Sequence, residues 1–434
     1  MQDVEWSGRV VKFIIASESA VIQAGNGALE QMKQEHRRGD AEQYRRKKMV
    51  KQNPIAGALL FGCSFALITT QAHAVEVLKT DKTTITLYGQ VNKGFLRSDD
   101  GFQNESFPFV DNDNSSTRMG LKSKSDIGNG WTLGTKFEFQ WEPYSSSNVS
   151  VQDKYDSDYE FRSNSVIRKI DLSFSNKTFG TFSLGQGSMA SDGAADVDLS
   201  GTNVISKDPE RVGGGLIFFD NMAGAYDLGR KVGDDFDNFD GGRRMRVRYD
   251  SPVFGGFKVS VAHGYTELLA PGVTDDRRYT DAALRYKSKF GSYKFEGAVF
   301  YAKRDSRPGR VEDRERVGGS AGLLHTPTGL NVRLSAGQED SQSRTAKGDF
   351  FNVKAGIRKN LIKAGPTAFS VSYYKSDGLA DEDARGKSWA VSAVQKIDKA
   401  NLELYATYRN YSLNETGVQY NDIDVVLAGL RWKF

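Results

Sequence analysis

Arg244, Arg246 and Arg248 fall at alternate positions of Arg243–Asp250 (RRMRVRYD), the clearest chemical spacing in the chain. In an extended strand alternate side chains share a face. Met245, Val247 and Tyr249 therefore take one side and the three guanidiniums take the other. This strand closes a long acidic, glycine-rich stretch that follows Phe179–Gly187 (FGTFSLGQG) and has no clear periodicity. Carboxylates on a loop facing a row of guanidiniums would set a transverse field across the gap between them. Such a field orients dipolar solutes, slows apolar ones and biases the choice of ion. The plainer role for these arginines is to balance loop carboxylates for stability.

Patterns that suggest enzyme chemistry fail on context. Gly318-Gly319-Ser320-Ala321-Gly322 fits G-x-S-x-G, but no helical pattern follows it, as a nucleophile elbow requires. Its small residues suit a strand packed closely against a neighbour. Gly185-Gln186-Gly187 with Ala190 imitates a dinucleotide fingerprint without a crossover helix. Asp111-Asn112-Asp113-Asn114 lacks the glycine and terminal glutamate of a calcium loop. Beyond residue 74 the histidines are His263 and His325, and a barrel hydrolase would need one of them beside a serine. No catalytic residue, cofactor or metal is expected.

The elements that position the arginines are short alternating strands, repeated from Thr83 onward. In Trp131–Glu142 (WTLGTKFEFQWE), Leu133, Thr135, Phe137, Phe139 and Trp141 take one face, and Thr132, Lys136, Glu138, Gln140 and Glu142 the other. The same dyad runs through Thr84–Phe95, Arg118–Ser125 (with Lys122), Lys169–Ser175, Phe257–Tyr265, Asp281–Lys287 and Tyr293–Lys303. It continues through Gly329–Gly337, Phe350–Lys359, Ala368–Lys375, Ser388–Lys396 and Asn401–Arg409. Strands of roughly 9–11 residues with one apolar and one charged face match tilted membrane strands. Lipid cannot satisfy an open sheet edge, so the sheet must close. Short turns such as Asp126–Gly130 and Asn176–Gly180 alternate with long polar stretches, among them Ser98–Ser116 and Pro143–Asn164. If both termini lie at the short-turn end, the strand number is even. Leu216–Phe219 (LIFF) then cannot span, Ser188–Gly242 is one loop, and the barrel has sixteen strands. In the last strand, Asp422–Phe434, the residues Val426, Ala428, Leu430, Trp432 and Phe434 share a face.

The first 74 residues read differently. Arg45–Lys48 precedes the apolar run Ile55–Thr70 and then Ala72-His73-Ala74, the layout of a signal peptide cut after Ala74. The run is shorter than the roughly 20 residues of a membrane helix. An uncleaved anchor and a lipidated Cys63 are the alternatives. Residues 1–48 read as upstream leader, with Met49 starting a signal peptide over 49–74 and the barrel occupying 75–434. The whole chain has 59 basic and 55 acidic residues; without the 10 and 7 in positions 1–74, 49 and 48 remain. That near-balance argues against nucleic acid as a partner.

Across nearly all of Thr83–Phe434 the chain resembles the general porins of Gram-negative outer membranes. The resemblance is carried by TLYGQV (Thr86–Val91), STRMGLKS (Ser116–Ser123), DIGNGW (Asp126–Trp131), FGTFSLGQ (Phe179–Gln186), VRYDSPVFGGF (Val247–Phe257) and the terminal Phe434. It implies an all-β, sixteen-stranded antiparallel transmembrane barrel whose long third external loop, here 188–242, folds into the lumen as the constriction loop. It implies a homotrimer in the outer membrane, in contact with lipid and lipopolysaccharide, passing small hydrophilic solutes and ions. Trp432 and Phe434 become part of the signal read by the barrel-assembly machinery. Asp192, Asp196 and Asp198 become the acidic residues of the constriction, and Arg118, Lys122, Lys136, Arg244, Arg246 and Arg248 the basic lining. Two departures stand out. Gln186 occupies a position where the family often has Arg, and the inward loop is long for the family. The alternative function is a structural or adhesive barrel plugged by that loop.

Overall fold

A sheet with an apolar outer face has no partner for its edges in lipid, and this chain removes the edges by closing on itself. The computed structural model describes residues 75–152, 165–266, 277–305, 313–342 and 344–434. The expected leader, signal peptide, Ala72 and Ala74 cleavage residues and Cys63 lie outside the described residues.

The strands begin with β1 (Val75–Lys79), β2 (Thr83–Asp99), β3 (Asn104–Asp111), β4 (Arg118–Gly128), β5 (Trp131–Trp141), β6 (Ser165–Asn176) and β7 (Gly180–Ser188). There follow β8 (Ile217–Asp220), β9 (Ala225–Lys231), β10 (Arg243–Asp250), β11 (Phe257–Tyr265), β12 (Arg278–Phe290), β13 (Tyr293–Asp305) and β14 (Arg314–His325). The last are β15 (Leu330–Ser341), β16 (Gly348–Ile362), β17 (Gly365–Asp377), β18 (Arg385–Ile397), β19 (Leu402–Asn414) and β20 (Ile423–Lys433). Leaving aside β1, β3, β8 and β9, sixteen antiparallel strands form a closed ring. β7 pairs directly with β10, and β20 returns to β2 from Gln90↔Lys433 to Asp99↔Asp424.

Two short strands complete β2's ladders. β1 pairs with its lower half, Val75↔Leu87 to Lys79↔Thr84, where β20 has ended. β3 pairs with its upper half, Lys93↔Asp111 to Asp99↔Asn104, above the β2–β4 ladder. The expected loop Ser98–Ser116 is thus corrected: β2 and β3 form a hairpin, and only Asn112–Thr117 leaves the sheet. Asn112 drives that excursion. Its Oδ1 accepts the Asn114 amide at 3.0 Å and its Nδ2 donates to the Val204 carbonyl at 2.8 Å, so the chain turns inward instead of continuing the ladder.

Alternation sets the two faces of the wall. On β15, Leu330, Val332 and Leu334 are exposed outward, while Asn331, Arg333 and Ser335 are buried toward the interior. A cation on the outer face would cost about 2–4 kcal/mol at the bilayer midplane, so the polar set faces in. At one end the connections are tight. Asn129 and Gly130, at φ 52° and 72°, supply the paired left-handed residues of a type I′ hairpin turn. At the other end they are longer, and the longest is 189–242. Within it β8 pairs with β9 as a separate hairpin, so Leu216–Phe219 lies outside the barrel sheet, as parity requires. Val204, Ile205, Val212, Leu216, Phe218 and Phe236 of this segment share a buried apolar cluster with Phe350, Tyr374, Tyr411 and Leu413 of the wall strands.

Candidate functional site

The inner face of β4, β5 and β6 carries a concentration of cations. Lys122 and Lys136 lie over the ring of Tyr88, 5.6 and 5.3 Å from its centroid. Tyr88 in turn donates from its hydroxyl to Glu138 at 2.8 Å, and fits because Gly120 has no Cβ; one there would lie 2.5 Å from that hydroxyl. Glu138 also accepts Arg168 Nε at 2.8 Å. Arg168 owes its direction to a β-bulge. The β5–β6 register shifts between Glu138 and Phe139, so that Glu138 faces Lys169 and Phe139 faces Ile167, leaving Arg168 as the extra residue. Bulges re-aim side chains. Here Arg168 and Lys169 are both half-buried, while Ile167 and Ile170 are exposed outward at 44% and 39%. Strict alternation would have turned one of these two cations into lipid.

Opposite stands the segment 189–242, held by the inner faces of distant strands. Its buried backbone groups need partners, and wall side chains supply them. Asp281 accepts the amides of Ala190 and Ser191 at 3.1 and 2.7 Å. Ser320 accepts the Val197 amide at 2.9 Å and donates to the Ala194 carbonyl at 2.7 Å. Arg333, almost wholly buried, donates to the carbonyls of Ala195 (2.7 Å) and Lys207 (2.9 Å). Lys354 pairs with Asp198 at 2.7 Å. Tyr374 and Tyr411 donate to the carbonyls of Asp237 and Pro209, each at 2.6 Å.

Between the cationic wall and this segment lies a polar cavity of ≈ 260 Å³. Arg118, Arg168 and Lys169 line one side; Asp192, Glu210, Asp237 and Asp240 line the other, with Asp113 from the Asn112–Thr117 excursion. Lys207, Arg211 and Arg243 bring the lining to six cationic and five acidic side chains. The carboxylates are not equally charged. Burial, and after it the charge of Asp237, pushes Glu210 up to about 8. Burial and the charge of Asp196 push Asp240 well above the ordinary carboxylate range. Asp208, behind the lining, rises to about 6 for the same two reasons. Burial would also raise Asp196, but Lys207 and Arg333 outweigh it and hold that carboxyl low. At neutral pH the cavity therefore carries a positive excess.

The residues singled out from sequence separate into three groups. Arg118 and Asp192 meet across the cavity, and Lys122 and Lys136 sit along the same wall. Asp196 and Asp198 are buried instead: Asp196 pairs with Lys207 and lies 3.4 Å from Arg333, and Asp198 pairs with Lys354. Both fasten the segment to the wall and do not line the cavity. Arg246 reaches across Gly187 to hold Asp171 with two hydrogen bonds of 3.0 and 2.9 Å. A Cβ at Gly187 would come within 2.6 Å of that guanidinium, which gives the Gly185-Gln186-Gly187 pattern a packing role. Arg248 grips Asp250 through two bonds of 2.8 Å and the Met189 carbonyl at 2.6 Å. Arg244 lies over the ring of Tyr279, 4.1 Å from its centroid. Gln186 is buried. Phe434 exchanges two backbone bonds with Gly89, at 2.9 and 3.0 Å, and its ring lies 5.2 Å from that of Trp432.

Sequence reasoning missed Arg168, Lys169, Glu210, Asp237 and Asp240. Two adjacent charges inside an otherwise alternating strand, as in VIRKID, are the signal that could have revealed the bulge. The serine of the G-x-S-x-G pattern is occupied with the inward segment. His325 Nδ1 bonds Thr328 at 2.8 Å and His263 Nδ1 bonds Thr280 at 2.8 Å, while the Ser320 hydroxyl is bonded to Val197 and Ala194.

A family model described as Gram-negative porin matches residues 57–416. Among solved structures, an anion-selective porin from Comamonas acidovorans aligns at 18% identity with a TM-score of 0.55, covering 81% of this chain and 100% of its own. The trimer form of in-vitro folded OmpT, an outer membrane protein of Vibrio cholerae, aligns at 13% identity and TM-score 0.53, covering 82% and 100%. Salmonella typhi OmpF, in a complex with daunomycin, aligns at 14% identity and TM-score 0.53, covering 82% and 99%. At these identities the likeness is one of fold. No curated protein matches the sequence.

Proposed function

Because the chain belongs to the Gram-negative porin family and has its sixteen-stranded outer-membrane barrel, we propose that it is a passive diffusion channel for small hydrophilic solutes and ions that favours anions. One observation carries this reading: the cavity between wall and inward segment has six cations against five carboxylates, of which Glu210 and Asp240 are held toward their neutral forms. A water-filled passage with opposed charges across its narrow dimension orients a dipolar solute, and its net charge sets the ion preference. Segment 188–242 is the constriction loop of this account. Its acidic edge is Asp192, Glu210, Asp237 and Asp240, and the basic edge is Arg118, Arg168 and Lys169. Purified protein in planar bilayers should give stepwise conductance; a barrel that inserts but never conducts would overturn the reading.

The same reading takes the protein as a homotrimer, in keeping with the trimeric form of OmpT among its structural neighbours. It takes residues 49–74 as a signal peptide cut after Ala74, and the Trp432–Phe434 end as the mark used by the assembly machinery. It assigns no catalytic role to any residue. One observation favours the second reading, a plugged structural barrel: the apolar cluster that 189–242 forms with the wall fills part of the interior. That reading predicts negligible conductance which rises when 188–242 is shortened.

A further inference from the structure

Between the cavity and the end with the tight turns, the inner wall carries two lysines side by side. Lys122 on β4 and Lys136 on β5 stand directly opposite one another in the ladder. Lys122 lies four residues beyond Arg118, roughly 13 Å along the strand toward the tight turn after Gly128. Like charges at opposed positions of neighbouring strands repel and destabilise a sheet. Here the wall holds both over one surface. Tyr88 from β2 lies across Gly120, with its hydroxyl donating to Glu138 at 2.8 Å. The two ammoniums sit over its ring, 5.6 and 5.3 Å from the centre. Contact with one ring face brings two flexible stems to one place.

The carboxylates beside this pair are committed to arginines. Glu138 accepts Arg168 Nε at 2.8 Å as well as the Tyr88 hydroxyl, and stands 3.7 Å from Lys136. Asp171, directly opposite Lys136 on β6, accepts Arg246 at both oxygens, at 3.0 and 2.9 Å. Among the described residues Lys122 takes part in no ion pair, and its contact is the Tyr88 ring. Lys122 is exposed, and the Lys136 side chain is 37% exposed. Alternation puts both on the lumen face, since Met119, Leu121 and Phe137 take the outer one. Were sheet stability the end served, a carboxylate at either position would turn repulsion into attraction.

We propose that Lys122 and Lys136 form a binding station for compact, doubly charged oxyanions such as phosphate, on the tight-turn side of the passage. An ammonium is a point charge with three rotatable donors, so two of them impose no plane on the ligand, and a tetrahedral oxyanion can accept from both. A dianion gains twice as much from each ammonium as a monoanion does. The proposal rests on the channel reading above: an anion leaving the cavity toward the tight turns meets this pair next. The step is binding alone and no bond is made or broken.

The probe is inorganic phosphate added to the full protein in detergent at about pH 8, where the dianion prevails, and read by the width of its phosphorus NMR line. Broadening is expected. Sulfate should reverse it, and acetate at equal ionic strength should be about tenfold less effective. Lys122→Gln with Lys136→Gln should need about tenfold more phosphate for the same broadening. Lys122→Glu should lose the broadening and keep its unfolding temperature, because it sets opposite charges across the ladder. Retention of the folded form's faster mobility in unheated detergent gels shows that each variant has assembled. No broadening, equal reversal by acetate, or an unaltered response of the double Gln variant overturns the station; the last would place phosphate in the cavity lined by Arg118 and Arg168 instead. The NMR reading does not depend on conduction, so absence of conductance in planar bilayers defeats the channel reading separately.

Discussion

Replacing Lys354 by Met should free the inward segment while leaving the barrel assembled. The Lys354 ammonium lies 2.7 Å from Asp198, and the two side chains are 1% and 0% exposed. Removing the ammonium strands a buried carboxylate, and breaking a buried pair this way costs about 3–5 kcal/mol. Asp198 would keep Arg333 at 4.0 Å and the Ser200 amide at 2.6 Å, so the lower end applies, about 3 kcal/mol. The contact joins the segment to the wall and is not part of the sheet, so the loss should appear as detachment of the segment. At 1.4 kcal/mol per tenfold, the detached fraction rises about a hundredfold. Single-channel recording reads this as bursts of current fluctuation, and hydrogen exchange reads it as faster exchange of the amides from Val197 to Ser206. Asp198→Leu combined with Lys354→Met should recover most of the loss, because it removes both charges instead of orphaning one. A K354M channel as quiet as the unaltered one, or a double variant as noisy as K354M, would refute the anchoring role.

Three further outcomes follow from the same geometry. Glu210 is neutral below about 8 and charged above it, so anion preference should fall as pH rises from 7 to 9, by about fivefold for an added charge worth roughly 1 kcal/mol. Glu210→Gln should abolish that step, measured by reversal potential at both pH values. The folded state holds this proton above the ordinary carboxylate value, so the contribution of Glu210 to stability is greatest below that value and declines as pH rises toward about 8. Arg118→Ser with Arg168→Ser should move ion preference toward cations, whereas Arg246→Gln, which strands Asp171, should mainly lower the unfolding temperature in detergent. Gly89→Val should impair closure, because a Cβ there would fall 2.5 Å from the Phe434 ring; the readout is loss of the heat-modifiable folded band.

Sequence made the barrel legible because lipid imposes a two-residue period on every spanning strand. That period marked β2, β4 to β6, β10 to β13 and β15 to β20, and chain parity kept Leu216–Phe219 out of the ring. It failed where the backbone departs from the period. The Arg168 bulge brings two neighbouring cations inward, and the Asn112–Thr117 excursion interrupts what alternation alone would continue. Charges on the inward segment were harder still, because it has no period at all. Asp192, Asp196 and Asp198 look alike in sequence, yet one lines the cavity and the side chains of the other two are buried. The difference comes from Lys207, Arg333 and Lys354, two of which lie more than a hundred residues further along the chain. Arg246 and Arg248 share a face by their spacing, and Asp171 and Asp250 occupy them within the wall. Whether a wall charge is occupied within the wall depends on partners on its own strand and on nearby strands, and these follow from spacing and register.

The central claim is that a net-positive passage runs between the β4–β6 wall and segment 188–242. Reversal potential across a salt gradient, with protein reconstituted in planar bilayers at pH 7, tests it most directly. The account predicts stepwise conductance with a potential of the sign that marks anion preference, reduced or reversed by Arg118→Ser with Arg168→Ser. A cation-preferring potential, or one indifferent to that double substitution, would contradict it.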